Sequence, residues 1–102
     1  MIFVIATAEV KPGKREAFLA EFRKNVPNVL AEKGCIEYGP TVDAKTDIKA
    51  QIPVRENVVT IVEKWESLGA LQAHLGAPHM LAYRERVKDY VVGVTLQILE
   101  PR

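Results

Sequence analysis

At the start of the chain Ile2, Val4, Ala6, Ala8 and Val10 alternate with Phe3, Ile5, Thr7 and Glu9, and this period of two predicts a strand over residues 2–10. Both sets are apolar in the first half of the segment, so both faces are expected to be covered. Lys11-Pro12-Gly13 is turn chemistry, and the period changes after it. Phe18, Phe22, Val26, Val29 and Leu30, widened by Leu19, recur at helical spacing with charged residues largely off that stripe. Pro27 inside this pattern predicts a kink or local break, and Gly34 a stop. Residues 35–43 alternate as a second strand, with Gly39 and Pro40 marking an edge or a bulge. Residues 58–65 form a third strand that carries Val59, Ile61, Glu63 and Trp65 on one face. Ser67 caps a short helix over 68–75, with Leu68, Leu71 and Leu75 on one side and His74 beside them. Pro78 opens another helix striped by Met80, Tyr83, Val87 and Tyr90, and residues 91–99 read as the last strand.

The order β-α-β-β-α-β predicts an α+β, ferredoxin-like fold: a four-stranded antiparallel sheet with helices on one face. Residues 44–57 are a long polar connection between strands two and three, open to a short strand over 51–54. The other sheet face is left bare and is expected to be apolar, with Val92, Val94, Leu96 and Ile98 contributing from the last strand. The simplest closure is a homodimer through this open sheet face, and a charge at Val94 is expected to break it.

The 102 residues make a single domain, 1–102, with no internal repeat. Fourteen Lys+Arg against thirteen Asp+Glu leave a net charge of +1, without the basic face that nucleic acid requires. No apolar run approaches the ~20 residues of a membrane span, and the N-terminus has no basic region of a signal peptide. The single cysteine, Cys35, cannot form an internal disulfide. The expectation is a soluble cytoplasmic protein that binds neither nucleic acid nor membrane.

Tests for nucleotide, nucleophile-elbow and zinc motifs are negative. His74 and His79 are separated by Gly76 and Pro78, which is not the i, i+4 spacing of a helical metal face, so no metal is expected. What remains is a cluster by position. Trp65 ends strand three, Glu63 and Tyr38 project from neighbouring strands, His74 lies in the next helix, and His79 and Tyr83 share a helical face. These side chains can meet between the sheet and the helices. Each also has a structural reading: Trp65, Tyr38 and Tyr83 as core, His74 and His79 as core or capping groups. Glu63 needs either a partner, Arg84 or Arg86 among the candidates, or a raised pKa.

Three segments carry a resemblance. Glu32-Lys33-Gly34-Cys35-Ile36-Glu37-Tyr38, Glu63-Lys64-Trp65, and Leu71-Gln72-Ala73-His74-Leu75-Gly76-Ala77-Pro78-His79 resemble, in order, motifs of antibiotic biosynthesis monooxygenase-like domains, in particular the quinol-monooxygenase-like group. The resemblance implies a dimeric α+β barrel of two facing sheets. It also implies a monooxygenase that oxidises a small quinol-like or polyphenolic aromatic with O2 and no cofactor. A deprotonated phenol itself reduces oxygen, so such a protein needs a base and an apolar pocket. His74 is then the candidate base, with Glu63 and His79 orienting or tuning, Trp65 and Tyr83 as pocket walls, and Tyr38 bonding the substrate. His74→Ala is expected to cost turnover far more than stability. Haem-degrading relatives carry an Asn on the first strand, which this chain lacks, and His74 and Arg84 stand where they place a Trp and a His. A non-catalytic ligand-binding or stress-response dimer, or an isomerase, are the alternatives on the same fold. The 44–57 connection looks longer than the family's usual hairpin.

Overall fold

In the computed structural model, which describes all 102 residues, the chain runs β1 (Ile2–Val10), α1 (Arg15–Leu30), β2 (Cys35–Thr41), β3 (Val58–Trp65), α2 (Leu68–Leu75), α3 (Pro78–Val87), β4 (Val91–Leu99). The strands form one antiparallel sheet in the order β2-β3-β1-β4. This is the expected ferredoxin-like α+β arrangement, with the second helical segment split in two. Gly76 and Pro78 make the split: neither favours a helix interior, while Pro78 suits the start of α3. No helix is long and apolar enough to cross a membrane.

Alternation decides which strand faces are buried. Val4, Ala6 and Ala8 of β1 stand opposite Glu63, Ile61 and Val59 of β3, and all six are buried beneath the helices. Phe18, Phe22 and Val29 of α1, Leu71 of α2, and Met80, Tyr83 and Val87 of α3 fill the space above them. Burying such side chains supplies roughly 1.5–3 kcal/mol each, which holds the layers together.

Three local expectations differ from the structure. Helix α1 continues through Pro27 without a break: the residue sits in the last turn with its ring in solvent, so only one backbone bond is forfeited, close to the helix end. Strand β2 stops at Thr41, opposite Thr60, and Val42 and Asp43 leave the sheet. No strand forms over 51–54, where the Gln51 N–H closes a turn onto the Ile48 carbonyl and no neighbouring strand is paired. The connection is instead closed by a clamp. Asp43 accepts bonds from the Arg55 backbone N–H (3.0 Å), Nε (2.8 Å) and Nη2 (3.0 Å), and the Arg15 guanidinium ties the carbonyl of Arg55 to α1 at 3.2 Å. The Arg55 guanidinium beside it lowers the Asp43 carboxyl to about 2.

The open face also differs from expectation. Val94, Leu96 and Ile98 stand opposite Ala8, Ala6 and Val4, so they share the helix side of the sheet. They remain 55%, 42% and 47% exposed, because α1 and α2 pack over β2 and β3 and leave β4 uncovered. The open face carries Phe3, Ile5 and Thr7 of β1, Thr60, Val62 and Lys64 of β3, and Thr95, Gln97 and Leu99 of β4. Its centre is apolar and its margins polar, with the Lys64 ammonium 5.5 Å from the centre of the Phe3 ring.

Gly34 positions the site. Its φ of +86° is one a side chain rarely adopts, and a Cβ there would stand 2.7 Å from Cβ of Ala70. Glycine thus lets the α1–β2 turn, which carries Glu32, lie directly on α2, which carries His74.

Candidate active site

Between the sheet and the helices lies a cavity of about 510 Å³, mostly apolar, open towards β4. Glu63, His74, Tyr38 and Tyr83 line it. Strand β3 delivers Glu63 because its alternation turns the whole set Val59, Ile61, Glu63, Trp65 inward. Glu63 is 5% exposed, and no arginine partners it. Its one hydrogen bond within the chain is from Nε1–H of the buried Trp65 to Oε1, at 2.9 Å. Burial raises its carboxyl to about 7, with the Trp65 bond opposing and the charge of Glu32 adding to the rise.

Helix α2 delivers His74. Ser67 accepts a bond from the Ala70 N–H at 3.1 Å, which fixes the first turn, and Leu71 and His74 then point inward. The His74 ring is 4.7 Å from that of Trp65 and 5.4 Å from that of Tyr38, between centroids. Its Nδ1 lies 2.7 Å from Oε2 of Glu32, and Nε2 makes no hydrogen bond within the chain. Desolvation lowers the His74 pKa against the pull of Glu32, so the ring is neutral at neutral pH. It is 1% exposed, inside the packed layer, so His74→Ala is expected to cost stability as well as turnover.

Tyr38 stands opposite Glu63 across β2 and β3 and stacks on Phe22, with centroids 5.3 Å apart and planes 12° apart. Tyr83 meets Phe22 edge-on at 5.7 Å. Burial drives both phenols well above their usual pKa, so they enter the cavity as neutral hydroxyls. At the rim, α3 places Arg84, whose guanidinium is held by the Leu75 carbonyl at 2.8 Å, and Lys88 follows the helix.

Two of the residues singled out by sequence do not line the cavity: Trp65 lies behind Glu63, and His79 lies behind His74. His79 Nε2 is 3.2 Å from Oε2 of Glu32 but lacks a well-formed hydrogen bond, and its Nδ1 meets Nδ2 of Asn25 at 3.2 Å. Glu32 and Asn25 were not legible as site residues. Glu32 stands in the first of the quoted motifs, but its partner His74 is 42 residues away. Cys35 is driven up to about 11, chiefly by burial, which makes its thiol a poor nucleophile. No group of three or more His, Cys, Asp or Glu side chains is arranged to hold a metal ion.

Comparison with known proteins agrees with this fold. The family model described as "Antibiotic biosynthesis monooxygenase" matches residues 1–86. "Probable quinol monooxygenase YgiN" of Escherichia coli (strain K12) is 43% identical, over 99% of this chain and 98% of its own. Among solved structures, Rv0793 from Mycobacterium tuberculosis superimposes with a TM-score of 0.80 at 27% identity, covering 99% of this chain and 94% of that one. PA3566 from Pseudomonas aeruginosa gives 0.79 at 25%, covering 99% and 93%. With most of its length matched by the family model and nearly all of it by a relative of such identity, the chain belongs to the antibiotic biosynthesis monooxygenase family.

Proposed function

We propose that this protein is a cofactor-independent monooxygenase that oxidises a small quinol-like or polyphenolic aromatic with O2, as a homodimer. The observation that carries the reading is the convergence of Glu63 and His74 on one apolar cavity, with no arginine paired to Glu63. His74 is a neutral base with Nε2 free, suited to taking the proton of a substrate hydroxyl. Arg84 and Lys88 at the rim favour the phenolate that results. The phenolate supplies the electrons. For a hydroquinone the balance is one quinol plus O2 giving one hydroxyquinone plus water, so the substrate delivers all four electrons. Glu63, raised to about 7, populates its protonated form at neutral pH and can hand a proton to the oxygen that leaves as water. The name carried by the E. coli relative supports the substrate class.

Oxygen uptake by metal-stripped protein with a panel of reduced quinols and anthrones tests this. Uptake above the spontaneous rate is the expected result. Turnover of a substrate without oxygen uptake would move the assignment to an isomerase, and binding without turnover to a ligand-binding protein.

The dimer is assigned to the open sheet face, whose apolar centre no helix covers. Ile5 lies at that centre, between Val62 and Gln97. Ile5→Glu is expected to yield a monomer in sizing chromatography with light scattering, because a two-fold contact buries the new charge in both copies. A variant that stays dimeric would exclude this face.

A further inference from the structure

The hydrogen bonds behind His74 form a chain in which each donor and acceptor is fixed by its neighbour. Asn28 Nδ2 donates to Oδ1 of Asn25 at 3.0 Å, so the nitrogen of the Asn25 amide is its other end. That nitrogen lies 3.4 Å from Sδ of Met80, which can only accept, and 3.2 Å from Nδ1 of His79. Nδ1 of His79 is therefore an acceptor, and a neutral His79 carries its proton on Nε2. That N–H is buried, without a well-formed hydrogen bond, and 3.2 Å from Oε2 of Glu32. The same oxygen lies 2.7 Å from Nδ1 of His74. A carboxylate can only accept, so Nδ1 of His74 bears hydrogen and its Nε2 is the lone pair.

We propose that Glu32 is a positioning residue which, backed by His79 and Asn25, holds His74 in the tautomer that leaves Nε2 as the base. The kinetic consequence rests on the function proposed above; the tautomer does not. The arrangement assigns His79 a place behind the site, away from substrate. A carboxylate behind a histidine also stabilises the imidazolium once the ring has taken a proton, and no member of the chain has to move for it to do so.

Long-range 1H–15N correlation spectra of 15N-labelled protein read each ring directly. The expected spectrum has His74 protonated at Nδ1 only and the neutral form of His79 at Nε2. Protonation of His74 at Nε2 alone would overturn the proposal. Glu32→Leu keeps most of the bulk but removes the acceptor that faces Nδ1. It is expected to release His74 into a mixture of Nδ1–H and Nε2–H tautomers and to lower kcat about 100-fold, with KM within about twofold. Glu32→Asp keeps the charge and is expected to keep the wild-type tautomer. A His74 spectrum unchanged in Glu32→Leu would overturn the proposal whatever the activity. The spectra need no substrate, so a wild type that consumes no oxygen counts against the proposed function alone.

Discussion

His74→Asn is expected to lower quinol turnover by at least about 100-fold while the protein remains folded. Asparagine places an amide N–H close to where Nδ1–H of the imidazole stands, so the bond to Glu32 at 2.7 Å has a replacement donor. It has nothing in place of Nε2, so the base is gone. The alanine variant is a poorer test. His74 is 1% exposed and packed between Trp65 and Tyr38, and its removal would leave a cavity and an unpaired carboxylate. Truncations of this kind cost roughly 2–5 kcal/mol, a large part of the stability of a domain this small. Loss of activity in His74→Ala would then confound chemistry with unfolding. Oxygen uptake alongside thermal melts decides the matter for His74→Asn. A variant that melts near wild type and still turns over within tenfold would remove His74 from the base role.

What sequence reveals here is what depends on period, and what it hides depends on register. Alternation along 58–65 places Glu63 beside Ile61 and Trp65 on a buried face, and the structure agrees. Helical spacing likewise turns Leu71 and His74 inward together. Alternation in 91–99 separates Val94, Leu96 and Ile98 from Thr95 and Leu99, but it cannot say which set faces the helices. Pairing of Ala8 with Val94 settles that, and it puts the apolar set on the side opposite to the one expected. Site depth is hidden for the same reason. Trp65 and His79 fall close to the cavity, yet stand behind Glu63 and His74, because a side chain's layer depends on what packs across from it. Glu32 and Asn25 act through residues 42 and 54 positions away, and no local pattern marks them.

Glu63→Gln is expected to change the pH dependence of stability more than its value at acid pH. The unfolded chain releases this proton near 4.5, whereas the folded protein holds it to about 7. Below 4.5 both states are protonated and the full contribution is present. As pH rises through 7 it is lost, by at most about 3 kcal/mol. His74 acts in the opposite sense: its folded pKa is lowered, so its contribution is present above the usual histidine value and lost as pH falls. The charged and titratable groups that bear on the pair are Glu32 from the α1–β2 turn, Tyr38 from β2, and His79 and Arg84 from α3. In Glu63→Gln the side-chain amide oxygen would still accept the Trp65 N–H, so the packing is retained while the Glu63 contribution vanishes and that of His74 stands alone. Urea denaturation across about pH 4–8 should therefore show wild-type stability falling between 4.5 and 7 relative to the variant. Parallel curves would mean that Glu63 ionises like an exposed carboxylate. The proton-delivery role makes a matching claim about rate. Wild-type kcat should decline above about 7 as Glu63 loses its proton, and the variant should be slower and lack that decline. A carboxyl that sets both curves at the same pH is one group doing both jobs, since the burial that makes it costly to ionise also keeps it protonated for the reaction.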